Sequence, residues 1–81
     1  MDDDIKHEYY CKVFMIKKKI HDLQEELNIY ESLKHELENN KEYMLYDKNN
    51  TLMFIIQYDE HIQHIKKDIR KYEYKLVELT S

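Results

Sequence analysis

Four side chains near the middle of the second half carry the donor types of a metal site. His61 and His64 lie one helical turn apart, and Glu60 and Asp68 sit at four-residue spacings from His64. Two imidazoles and a carboxylate can hold Zn²⁺ or a similar ion. The pattern is neither the His-Glu-x-x-His of zinc proteases nor the paired Glu-x-x-His of di-iron bundles. Helical periodicity also turns these groups toward solvent, so no metal is assigned to them. His7, His21 and His35 recur at two-heptad intervals. Such a row can respond to pH, but a solvated outer face accounts for it without further assumption.

Covalent chemistry has little to stand on. Cys11 is the single cysteine, which excludes an internal disulfide and a Cys-cluster metal site. A Cys–His pair needs a cleft, an orienting group and a means of stabilising developing charge. The chain has no Gly and no Pro, so phosphate-binding loops and Rossmann turns are unavailable. The reading is a non-enzyme without catalytic residues, cofactor or small-molecule substrate. Lys17-Lys18-Lys19 and Lys66, Lys67, Arg70, Lys71 and Lys75 are basic enough to touch phosphates. Against that, Asp68 and Glu73 interrupt the second group and the formal net charge is −4. Nucleic-acid contact is therefore a weak second alternative.

Apolar recognition is the stronger candidate. Residues 9–16 contain one charge in eight positions, at Lys12. Tyr9, Val13 and Ile16 keep a helical seam spacing, while Tyr10, Phe14 and Met15 extend apolar surface round the side. A second apolar run, Leu52-Met53-Phe54-Ile55-Ile56, exceeds what one seam needs. Met53 and Phe54 suit adaptable hydrophobic recognition. The partner-binding set is thus Tyr9, Tyr10, Val13, Phe14, Ile16, Met53 and Phe54.

The elements that position these residues follow from two apolar series. One runs Ile20, Leu23, Leu27, Tyr30, Lys34, Leu37, Lys41, Met44. The other runs Ile55, Tyr58, Ile62, Ile65, Ile69, Tyr72, Leu76, Leu79. Both alternate steps of three and four, the signature of a coiled-coil seam. Reflected about Asn49-Asn50 they match step for step, pairing Ile20 with Leu79, Leu23 with Leu76 and Leu27 with Tyr72. The spacing predicts an all-α antiparallel coiled-coil hairpin forming one domain over residues 1–81. Its first helix covers about 4–46, its turn about 47–51 and its second helix about 52–80. β-forming residues around Asp47-Lys48-Asn49-Asn50 leave a short β-hairpin at the tip as the alternative.

Met1-Asp2-Asp3-Asp4 supplies an acidic cap. In this register Glu31 meets Lys66 and Glu26 meets Lys75, both favourable, and Glu38 meets Asp59, which is not. Lys34 and Lys41 occupy seam positions and cost stability. Residues 1–17 have no partner within the chain, an overhang of roughly 25 Å at ~1.5 Å per residue.

A chain of 81 residues is marginally stable alone. Dimerisation of two hairpins into a four-helix arrangement would bury the overhangs. The expected function is protein–protein interaction by a self-associating assembly or adaptor subunit, a homodimer. The alternative is a small phage- or virus-encoded inhibitor of a host or defence protein. Absent Ala, Gly and Pro, one Arg against 12 Lys, and abundant Asn, Ile and Tyr point to AT-rich coding. No run is long and apolar enough for a membrane span or a signal peptide, which predicts a cytoplasmic protein with no membrane partner.

Overall fold

In the computed structural model, which describes residues 2–81, the chain is helical almost throughout. Three helices follow one another: α1 (Asp2–Asn39), α2 (Lys41–Tyr46) and α3 (Lys48–Thr80). Met1, and with it the start of the expected acidic cap, lies outside the described residues. Among those residues there is no strand, so the β-hairpin alternative for the tip is overturned. No helix is long and apolar enough to cross a membrane.

Two short polar side chains shape the tip. Asn40 leaves the helix with φ −92° and ψ 101°, and its side chain accepts a hydrogen bond from the Glu42 amide at 3.0 Å. Asp47 takes φ −150° and ψ 78°. Its carboxylate accepts from the Asn50 amide at 3.2 Å and from the Asn50 side chain at 2.6 Å. Each thus satisfies amide donors that the start of a helix leaves orphaned. The turn expected over residues 47–51 is therefore replaced by a break at Asn40 and another at Asp47. Asn49, Asn50 and Thr51 form the first turn of α3 instead. Thr51 is buried, and its hydroxyl lies 2.7 Å from the Asp47 carbonyl and 3.1 Å from that of Tyr43, tying α2 to α3.

α3 runs back along α1 to form a hairpin 66 × 15 × 14 Å in extent. Its radius of gyration is 18.7 Å, against about 12 Å for a compact domain of this length. Every apolar member of both predicted series is buried or half-buried. Leu23, Ile65 and Ile69 form the buried cluster, with Ile20, Leu27, Tyr30 and Tyr72 packed against it.

The facing residues differ from the expected mirror by about one heptad. Lys34 donates to Asp59 at 2.9 Å, and Glu26 meets His61 at 3.2 Å. The Tyr30 ring packs against His61 and Tyr58, with centroids 4.2 and 5.8 Å apart. These pairs centre near Tyr46, where Asp47 reverses the chain, rather than on Asn49-Asn50. The register sets Leu23 opposite Ile69, Leu27 opposite Ile65 and Ile20 opposite Tyr72.

Of the expected charge contacts, Glu31 meets Lys66 at 3.9 Å. Glu26 takes His61 instead of Lys75, whose ammonium lies 5.1 Å from the centroid of the Tyr72 ring. Glu38 and Asp59 do converge, and Lys34 bridges them at 3.6 and 2.9 Å. Lys41 is exposed, because the break at Asn40 rephases the helix.

Candidate interaction surface

Two flanks run the length of the hairpin, one on each side of the seam. Glu31–Lys66 marks the first flank and Glu26–His61 the second. Steps of seven residues along a heptad-repeating helix stay on one flank. From Glu31 they reach Gln24, Lys17 and Tyr10; from Lys66 they reach Asp59 and Leu52 in one direction and Glu73 in the other. Phe14, Ile56 and Val77 follow four residues after Tyr10, Leu52 and Glu73, on the same side. The first flank is therefore apolar at its open end, through Tyr10, Phe14 and Val77, and at its tip, through Leu52 and Ile56. All five side chains are exposed.

Between the two ends the first flank is polar. A groove there is lined by Glu31, Lys34, Glu38, Asp59, Gln63 and Lys66. The hydrogen bond to Asp59 raises the Lys34 ammonium above its ordinary value. The same bond, with the Lys34 charge, lowers the Asp59 carboxyl. The second flank carries Ile5, Met15, Ile29, Leu33 and Phe54, all exposed.

The sequence-selected residues do not form one patch. Tyr10 and Phe14 are each 66 % exposed at the open end, while Met53 and Phe54 are about half exposed at the tip. By the register Met53 and Phe54 stand level with Asn39 and Glu38, so roughly 40 Å of helix separates the two groups. Tyr9 packs edge-on against Tyr10, ring centroids 5.6 Å apart. Val13 and Ile16 are half-buried, since the observed register brings Leu79 and Leu76 opposite them. The uncovered arm shortens accordingly, from residues 1–17 to about 2–11, roughly 15 Å of helix.

The tip is more exposed than its sequence suggested. Leu45 and Tyr46 are 87 % and 95 % exposed, and Tyr43 is exposed beside them. Leu45 and Tyr46 stand clear of the reversal at Asp47 instead of packing over it. Tyr74 and Val77 were also missed, because isolated apolar residues on an outer face carry no periodic signature.

The polar candidates stay apart. Among the described residues no three His, Cys, Asp or Glu side chains converge as a metal site. His61 turns to Glu26 across the seam, while His64 stands 3.9 Å from Asp68 on its own helix. Cys11 is exposed, with its sulfur 3.7 Å from His7. Comparison with known proteins returned no matching family model, curated protein or solved structure.

Proposed function

We propose that this chain is a non-enzymatic protein–protein interaction module, a self-associating assembly or adaptor subunit built on an antiparallel coiled-coil hairpin. The distribution of apolar side chains carries the reading. Among the described residues sixteen large hydrophobic side chains are exposed, and four hydrophobic ones are buried. A two-helix layer has only one inner face, so apolar residues on the flanks and at both ends have nothing in the chain to cover them. Such surface marks association sites.

Area supports the same conclusion. The accessible surface is 6915 Å², whereas a compact monomer of this mass exposes about 5,300 Å². The excess, about 1,600 Å², is twice the ~800 Å² that each partner contributes to a standard interface. A second copy is the partner always present with the chain, and closed pairs are the commonest oligomers.

Size-exclusion chromatography with multi-angle light scattering over a range of concentrations tests the proposal. The expected species has twice the 10.2 kDa chain mass. A monomer at every concentration overturns self-association, and turns the apolar ends into a surface for a different protein.

A further inference from the structure

We infer that two copies stack antiparallel through the first flank, the open end of each lying on the tip of the other. This rests on the self-association proposed above and names the face and the orientation. Charge is the first argument. The register cuts the hairpin into halves at Glu26 and Lys66. Residues 2–26 with 66–81 carry ten basic and ten acidic groups, a net of zero; residues 27–65 carry three basic and seven acidic groups, a net −4. Antiparallel stacking sets the acidic tip half of each copy on the neutral, lysine-bearing open half of the other. Parallel stacking sets the two acidic tip halves against each other, which opposes association.

Apolar placement is the second argument, and it is independent of charge. On the first flank the apolar residues stand at the two ends, with the polar groove between them. Val77 stands level with Met15 of α1, and Ile56 level with Glu36. When two hairpins overlap fully and run opposite ways, Val77 of one comes level with Ile56 of the other. The uncovered arm then lies beside α2 of the second copy, near Tyr43, Leu45 and Tyr46. One interface thus covers the arm and the tip together, which neither end accomplishes alone. Asp3 and Asp4 extend past the tip into solvent.

The area is sufficient. Two such faces need about 800 Å² each for a stable, specific dimer, and one side of a hairpin 66 × 15 Å in extent presents a face of that order. The dimer has a twofold axis, so each substitution acts at two places.

The test uses the full chain with Cys11→Ser and a single nitroxide at Lys48→Cys, the exposed start of α3. Pulsed dipolar spectroscopy of the dimer is expected to give a tip-to-tip separation of about 60 Å, some 40 helical residues. Parallel stacking would give a separation near the ~10 Å spacing of packed helices; pairing of the arms end to end would put the tips beyond 66 Å, the length of one hairpin. Either result overturns the orientation while leaving self-association standing. Val77→Glu and Ile56→Glu should each weaken the dimer more than tenfold, about 1.4 kcal/mol per decade, while Ile29→Glu on the second flank leaves it within about twofold. Circular dichroism of each variant checks that helicity is kept. Dimer loss with Ile29→Glu but not with Val77→Glu overturns the face. A chain that is monomeric throughout overturns the underlying proposal as well.

Discussion

The register of the hairpin can be tested by cross-linking, and the structure fixes the outcome. A mirror about Asn49-Asn50 pairs Leu23 with Leu76, whereas the observed reversal at Asp47 pairs Leu23 with Ile69. The two partners lie seven residues apart on α3, about 10 Å along the helix axis. A disulfide needs Cα atoms within about 7 Å, so one cysteine at position 23 cannot serve both. In a Cys11→Ser background, Leu23→Cys with Ile69→Cys should oxidise to an intrachain bridge in high yield. Leu23→Cys with Leu76→Cys should stay reduced or form bridges between chains.

The bridge at 23 and 69 closes a loop of about 47 residues, which the chain-entropy model values at about 4 kcal/mol. Truncating Leu23 and Ile69, both buried, to cysteine opposes that by a comparable amount. The readout is therefore the covalent connection and not the melting temperature. Non-reducing electrophoresis and peptide mapping by mass spectrometry identify it. A bridge between 23 and 76 within one chain, with none between 23 and 69, would refute the observed register and restore the mirror.

Four further outcomes follow. Ile65, 2 % exposed in the central cluster, should lose about 3 kcal/mol on truncation to Ala, out of a total of about 4–12 kcal/mol for a chain this long; urea denaturation measures it, and a change within ~0.5 kcal/mol, as expected for Leu45→Ala at the solvated tip, would deny the cluster its role. Thr51→Val keeps the shape but removes the hydroxyl facing the Asp47 and Tyr43 carbonyls, and should cost about 1 kcal/mol by the same measurement. Asp47→Ala removes the cap on α3 and should cost about 1 kcal/mol, with the loss of amide exchange protection concentrated at Asn50 and Thr51. The Asp59 carboxyl should titrate below its ordinary 3.8 and return toward that value in Lys34→Met, as followed by NMR.

The sign of the last effect sets its pH window. A lowered carboxyl stabilises the fold above its unfolded value and loses that contribution as pH falls through the folded one. The raised Lys34 ammonium contributes fully below its ordinary 10.5 and loses its contribution as pH rises through the folded value. The bridge is therefore complete between the two ordinary values, 3.8 and 10.5. An Asp59 midpoint unchanged by Lys34→Met would deny the bridge.

The seam was legible in the sequence because a three-and-four spacing encodes the direction in which a side chain points from its helix. Val13, Ile16 and Ile20 through Met44 on one side, and Ile55 through Leu79 on the other, carried that information. The flanks followed once one charge pair per side was known. The tip was less legible. Its β-forming residues and its Asn-Asn pair suggested a hairpin turn, but the caps are built by Asn40 and Asp47, single residues whose roles depend on backbone angles that no local composition reveals. Exposure of Tyr10, Phe14, Met53 and Phe54 was readable as apolar excess over a single seam. Which of them share a flank was not, because that requires the register.

Register itself is degenerate in a heptad pattern. Sliding one helix by seven residues leaves every seam position facing a seam position, so periodicity cannot distinguish the two alignments. Polar residues and turn chemistry decide. In the mirror about Asn49-Asn50, Lys34 stands opposite Ile65, the most buried side chain described, and Lys66 takes the place of Asp59 beside it, so that Glu38 on its own helix is left to offset both desolvation and the like charge. One heptad away, Lys34 stands opposite Tyr58 and reaches both Asp59 and Glu38. The same shift lets Asp47 cap α3 and Thr51 close on Tyr43. A lysine in the seam, unfavourable by itself, thereby selects one alignment over its neighbour, as polar seam residues do elsewhere. Lys34→Leu should remove that selection. The 23–76 disulfide should then form in measurable yield beside the 23–69 bridge, and its continued absence would place the choice of register on the caps alone.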